Sequence, residues 1–211
     1  MINFFSKGIL GFFRFFKKKK NISLGLYGPP NAGKSTLANR IIEDILGEGA
    51  EKFSTSSVEH ETRSVQKVEK LVLKKDGKTL DFALIDTPGI ATKIDFEDFV
   101  KQGVKKEDAK QRAKEATQGV IESIKWLDSV DAVLVVLDST LNPYNQVNIT
   151  LIGNLVAKRK KIIIVANKCD LKGSSIEKIK LVFPDYPVAL ISAKDGIGIE
   201  ELYTMIFKEF Y

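Results

Sequence analysis

Residues 28–35 read Gly-Pro-Pro-Asn-Ala-Gly-Lys-Ser, a G-x-x-x-x-G-K-[ST] run. It follows an apolar stretch, Ile22 to Tyr27, and opens a segment of helical periodicity marked by Leu37, Ile41 and Ile45. A chance match would lack those flanks, whereas strand, glycine-rich turn and helix in that order are what a phosphate-cradling loop requires. Gly28 and Gly33 let the backbone turn tightly with its N–H groups facing inward. Asn31, Ala32 and Gly33 line the cradle, Lys34 reaches the β- and γ-phosphates, and Ser35 ligates Mg²⁺. Ser35 and Thr36 also open a helix whose N-terminus favours anions.

The rest of the chain alternates. Val65 to Leu73 and Leu80 to Ile85 flank an Asp76-Gly77 turn, a hairpin signal that makes those two strands antiparallel. Ala132 to Leu137, Ile162 to Ala166 and Val188 to Ile191 are continuous apolar runs, as expected of parallel strands buried on both faces. Helical patterns separate or follow them, at Val147, Leu151 and Leu155, around Ile176 to Leu181, and at Leu202, Ile206 and Phe210. A further helix is expected from Thr117, with Val120, Ile121, Ile124 and Leu127 facing inward. This βαβ series predicts an α/β fold, a six-stranded mixed sheet with helices on both faces. It occupies residues 21–211, and residues 1–20 form a separate tail.

Cys169 is the only cysteine and His60 the only histidine. Internal disulfides and Cys/His metal sites are thereby excluded, and a reducing cytoplasm is the natural compartment. The net charge of +6 is not spread over the chain: Lys7, Arg14 and Lys17 to Lys20 lie in the first twenty residues without an acid, and the remainder is neutral. That neutral body offers no aromatic and basic platform for nucleic acid.

The tail reads MINFFSKGILGFFRFFKKKK, with Phe4, Phe5, Phe12, Phe13, Phe15 and Phe16 on one broad helical face and Asn3, Lys7, Arg14 and Lys18 in a narrow opposite stripe. An aromatic face followed by a polybasic run suits an anionic membrane surface, at the inner face of the cell membrane. A secretory signal would carry its charges before the apolar run, and a spanning helix needs about 20 apolar residues. Docking on the protein's own core or on a partner is the competing expectation.

Four segments define the chemistry beyond the loop. Asp86, followed by Thr87-Pro88-Gly89, ends a strand where it can hold Mg²⁺ through a water, with the Gly89 N–H towards a γ-phosphate. Asn167-Lys168-Cys169-Asp170 closes another strand. There the Asp170 carboxylate can accept both ring-edge donors of guanine while the Lys168 stem covers the base. Ser192-Ala193-Lys194 can offer a backbone N–H to the guanine carbonyl. Thr62, or in its place Thr55 or Ser57, can reach Mg²⁺ once a γ-phosphate orders its loop.

Together, GPPNAGKS, Thr62-Arg63, DTPG, NKCD and SAK resemble the signature segments of Era-like GTPases in the translation-factor-related P-loop class, in order over residues 22–211. The resemblance implies a Ras-like domain, its six strands in the order 2-3-1-4-5-6, that binds GTP and GDP with Mg²⁺ and hydrolyses GTP slowly. The resemblance also implies an effector protein, and GTP-dependent homodimers occur in similar proteins. Two departures matter. Era carries an RNA-binding KH domain, which this chain is expected to lack, and Ile90 stands where Ras-type enzymes orient water with a glutamine. Asn31 matches the asparagine that helps bind K⁺ in cation-dependent relatives, which implies K⁺-stimulated turnover. The basic Lys101 to Lys114 stretch reads as a solvated face or an effector surface. Beside the membrane switch stand two other readings, a soluble ribosome-assembly or tRNA-modification GTPase, and a GTP-dependent binding module with negligible turnover.

Overall fold

The computed structural model describes residues 21–53, 65–89 and 123–211, with positions 105, 108 and 121. The tail of residues 1–20, Thr55, Ser57, His60, Thr62, Ile90, Thr117, Val120 and most of the Lys101 to Lys114 stretch lie outside the described residues.

Six strands form one sheet: β1 (Asn21–Tyr27), β2 (Gln66–Lys75), β3 (Lys78–Asp86), β4 (Ala132–Asp138), β5 (Lys161–Asn167) and β6 (Val188–Leu190). Their order is β2-β3-β1-β4-β5-β6, as the resemblance implies, with β2 antiparallel to β3, as the hairpin signal predicts, and every other pair parallel. Four described helices accompany them, α1 (Lys34–Leu46), α2 (Gln146–Ala157), α3 (Ile176–Val182) and α4 (Ile199–Phe210).

Because side chains alternate across a strand, a fully apolar strand must be covered on both sides. In β4, Leu134 and Val136 meet Leu37 and Ile41 of α1 and Leu202 and Ile206 of α4 in one core, while Val133, Val135 and Leu137 meet Leu151 and Leu155 of α2 and Ile179 of α3 in the other. Each such side chain contributes about 1.5–3 kcal/mol by leaving water. The β2–β3 turn places both Asp76 (φ 49°) and Gly77 (φ 71°) at positive φ, the conformation that a two-residue hairpin of matching twist demands. At the sheet edge, β2 is punctuated by a register shift between Val68 and Leu71 and carries Lys67, Lys70, Lys74 and Lys75, features that discourage further strand addition.

One expectation is corrected. Ile121 and Ile124 are exposed, and the inward positions of that segment are Ser123 and Leu127. The reason is polar. Ser123 accepts a hydrogen bond at its carbonyl from the Tyr27 hydroxyl (3.1 Å), and its own hydroxyl donates to the Pro88 carbonyl (3.0 Å). Apolar periodicity cannot anticipate a serine taking the buried side.

Candidate functional site

The carboxyl ends of the parallel strands lie at one edge of the sheet, where ligands of open α/β folds bind. Tyr27 of β1 runs into Gly28, Asp86 ends β3 in register with Leu26, and Asp138 of β4 pairs with Asn167 of β5. The sequence segments singled out above therefore converge.

Gly28 has to be glycine, since a Cβ there (φ 153°) would sit 2.1 Å from the Val136 carbonyl oxygen. Gly33 (φ 92°) caps α1 without a side-chain hydrogen bond, and no acid occupies the first helical turn. The first N–H groups of α1 thus keep their attraction for an anion. Asn31 is exposed and left-handed (φ 57°), and Thr36 is exposed on the first turn. Ala32 is buried, and its carbonyl accepts from the Asn167 side-chain amide at 2.9 Å.

Lys34 is the buried cation of this loop, 6% exposed, with Nζ donating to the carbonyls of Pro29 (2.9 Å) and Gly28 (3.3 Å). Burial pulls its pKa down to about 8, with Asp86 countering in part. Asp86 is fully buried, and burial pushes its carboxyl up against the opposing pull of Lys34, the Ser35 hydroxyl and the Thr87 N–H. The Ser35 hydroxyl donates to Asp86 Oδ2 at 2.5 Å, while Asp86 Oδ1 has no hydrogen-bond partner among the described residues. A buried carboxylate oxygen left bare beside a hydroxyl fits Mg²⁺, a hard cation that takes few protein ligands and keeps its waters or phosphate oxygens. Bound there, the ion would neutralise charge on the phosphates. Gly89 packs on the loop so closely that a Cβ would lie 2.8 Å from Pro30 Cα, and the Thr87 hydroxyl anchors the same segment by donating to the Leu26 carbonyl at 2.7 Å.

A pH dependence follows from Lys34. Phosphate charge stabilises its protonated form, so its pKa is higher in the complex than in the free chain, and binding takes up a proton above about pH 8. Nucleotide affinity is expected to stay level through neutral pH. Above the free-state pKa it should fall by up to about a decade per pH unit. Dissociation constants measured across that range check this, and a flat profile contradicts it.

The residues that end β5 and follow β6 are knitted to the loop. Asn167 donates to Ala32 and accepts the Ala193 N–H at its Oδ1 (3.0 Å), so that N–H is engaged within the protein. Gly33 leaves the space for this: a Cβ there would come within 2.2 Å of Asn167 Nδ2. Ser192 is buried and closes its own turn, accepting from the Asp195 N–H at 3.2 Å, while Lys194 and Asp170 are exposed.

Asp138 was not anticipated. Its Oδ2 accepts from Lys168 Nζ at 2.6 Å, and its Oδ1 accepts from the Thr140 N–H and hydroxyl. Burial alone would raise the Asp138 carboxyl, but Lys168 and Thr140 together hold it below its usual range. The pair fixes Lys168, itself left-handed (φ 68°), at the carboxyl end of β5. A carboxylate closing a buried parallel strand was the available signal.

Comparison with known proteins agrees with this arrangement. The family model described as 50S ribosome-binding GTPase matches residues 23–168, more than half of the chain. GTPase Der of Kosmotoga olearia is 33% identical over 201 residues, covering 90% of this chain and 39% of the relative. The tRNA modification GTPase MnmE of Geobacter sulfurreducens is 28% identical over 192 residues, covering 91% of this chain and 35% of the relative. The chain thus spans under two-fifths of the length of these relatives. Among solved structures, an Era variant of Aquifex aeolicus bound to GDP and AlF4⁻ superposes with a TM-score of 0.67 at 23% identity, over 90% of this chain and 57% of that one. Era in complex with MgGDPNP and a 16S ribosomal RNA segment gives 0.66 at 24%, over the same shares. The chain belongs to the GTPase family that this model describes, and the Era structures agree with it in fold.

Proposed function

We propose that the domain is a GTP-driven switch held at an anionic membrane surface by residues 1–20. In this reading Asn31 to Thr36 cradle the phosphates and Ser35 and Asp86 hold Mg²⁺, joined by Thr62 in the triphosphate state. The Gly89 N–H senses the γ-phosphate. Asn167, Lys168, Asp170 and the Ser192 to Lys194 loop hold guanine. Hydrolysis then rests on positioning and charge neutralisation around the phosphates rather than on covalent chemistry.

One observation carries the membrane part. The six cationic residues that make up the whole net charge end at Lys20, directly before the first residue of β1. That end of the sheet is opposite the nucleotide loops. Lys78 opens β3 there, with Nζ 5.2 Å from the Tyr211 ring, and Lys161 opens β5 and donates to the Glu209 carbonyl at 2.8 Å. Lys75 and Lys208, with Asp76, lie around the same exposed tyrosine. A membrane at this pole leaves the nucleotide cleft facing away from it. Among the described residues no helix is long and apolar enough to cross a bilayer, so the reading is of surface attachment.

Each lysine near an anionic surface contributes about 1 kcal/mol. The full chain is therefore expected to co-sediment with anionic vesicles and to be released by high salt or by deletion of residues 1–20. Equal recovery with neutral and anionic vesicles would remove this reading. In that event a soluble assembly GTPase, which the names of the MnmE and Era relatives favour, takes its place.

Asn31 supports K⁺ participation, since its left-handed, exposed position leaves the side chain at the edge of the phosphate cradle. Single-turnover hydrolysis is expected to be faster in KCl than in NaCl, by about tenfold or more if the ion supplies part of what an arginine finger does. Equal rates exclude the ion.

A further inference from the structure

Arg40 lies on α1 six residues beyond Lys34, half-buried, and its guanidinium reaches across to the loop after β6. Nε donates to the Ala193 carbonyl at 3.4 Å and Nη2 donates to the Lys194 carbonyl at 3.0 Å. Gly196 (φ +76°) keeps its α-carbon bare where a Cβ would stand 3.6 Å from the guanidinium carbon. Behind Arg40, Asp44 Oδ1 lies 4.0 Å from Nη1, and Asp44 Oδ2 accepts from the Tyr203 hydroxyl of α4 at 2.8 Å. The Ala193–Lys194 segment is therefore gripped on two sides. Asn167 takes the Ala193 N–H, and Arg40 takes the two carbonyls. Since Asn167 also donates to Ala32, the contacts close a circuit from the phosphate loop through α1 and the base loop and back.

We propose that Arg40 is a positioning residue for base selection: by holding the Ala193 and Lys194 carbonyls from α1, it fixes the backbone edge that reads the oxygen at the six position of guanine. This rests on the guanine-nucleotide reading of the site. A peptide unit is planar, with its N–H directed opposite to its C=O. Pinning the Ala193 carbonyl towards α1 thus turns the Lys194 N–H away from it and sets the orientation of that strip of backbone. Lysine in place of arginine would bring all its donors to one point, without the planar fork that meets the two carbonyls from separate nitrogens. The Tyr203 hydroxyl acts one step further back, through Asp44.

The test compares GDP with the diphosphate of 2-aminopurine riboside, which keeps the amino group facing Asp170 but lacks the six-position oxygen and with it the ring N–H, so that only the change in the ratio between variants reports on the oxygen. Binding of both is measured for the full chain and for Arg40→Met, Arg40→Lys and Tyr203→Phe. Arg40→Met should weaken GDP about tenfold, the scale of one hydrogen bond to a charged group, while leaving the analogue within about twofold. Arg40→Lys should fall between, and Tyr203→Phe should shift the ratio a few-fold in the same direction without needing the arginine removed. Equal losses for both ligands in every variant would make Arg40 a structural contact only, and unchanged GDP binding would overturn the proposal directly. If the unsubstituted chain does not distinguish the two ligands, the guanine reading itself fails and this inference falls with it.

Discussion

Asp170→Asn is expected to transfer the base preference of the chain from guanine to xanthine nucleotides. Guanine presents two donors on one edge, the ring N–H and the exocyclic amine, and a carboxylate accepts both. An amide offers one acceptor and one donor, so one guanine contact becomes a donor facing a donor. Xanthine carries a carbonyl where guanine carries the amine, and the asparagine amide can donate to it. With hydrogen bonds to a charged group worth about 1.5–3 kcal/mol each, the guanine loss should be on the order of 10²-fold to 10⁴-fold. The structure supplies the setting for this. Asp170 is exposed in the turn after β5, and that turn is anchored by the Cys169 N–H donating to the Ile191 carbonyl at 3.0 Å and by the Lys168–Asp138 pair. The substitution should therefore leave the fold unchanged. Competition of unlabelled GDP and xanthosine diphosphate against a fluorescent nucleotide reads the switch directly, and intact guanine selectivity in the variant would remove Asp170 from the base site.

Lys34→Ala should abolish tight binding of the triphosphate. Removing one partner from a buried ionic contact leaves the other uncompensated, a loss of about 3–5 kcal/mol. The phosphates would then face a neutral loop at the point where they carry most charge. The effect on the empty protein runs the other way. A buried ammonium satisfied by the Pro29 and Gly28 carbonyls and opposed by its own desolvation is not a large source of stability. Lys34→Met, which keeps the volume, should therefore melt within a few degrees of the parent without nucleotide while losing the stabilisation that GDP gives the parent. A variant that binds GTP normally, or one that loses stability and binding in proportion, would contradict the role given to Lys34.

How far the sequence alone reached depended on the range of each interaction. The phosphate loop was legible because its function needs residues consecutive in the chain, with the strand before and the helix after imposing their own periods on neighbouring positions. The Asp76-Gly77 hairpin placed β2 beside β3, the apolar runs marked the buried parallel strands, and the order of the sheet came with the family resemblance. Contacts between distant segments were not legible. Asp138 meets Lys168 because β4 and β5 align Asp138 with Asn167, a register set by a crossover through α2 that no local pattern encodes. Arg40 reads as a solvent-side residue of an amphipathic helix, and only the path of the β6 loop over α1 gives it two carbonyls to hold. The inward turn of Ser123 in place of Ile121 and Ile124 is of the same kind, since its hydroxyl meets the Pro88 carbonyl and its own carbonyl meets the Tyr27 hydroxyl, both distant in the chain. The Ser192-Ala193-Lys194 segment was expected to offer a backbone N–H to the base, and that of Ala193 is taken by Asn167, which shows only once the two loops are side by side.

Release of phosphate under single-turnover conditions with Mg²⁺, from GTP and from ATP, by the full chain and by Lys34→Ala, tests the assignment most directly. The site described above predicts phosphate from GTP, little from ATP, and none above background from the variant with either nucleotide. Equal release from ATP and GTP, or undiminished release by the variant, would mean that the buried lysine and the Asn167 to Asp170 turn do not form a guanine-nucleotide hydrolase.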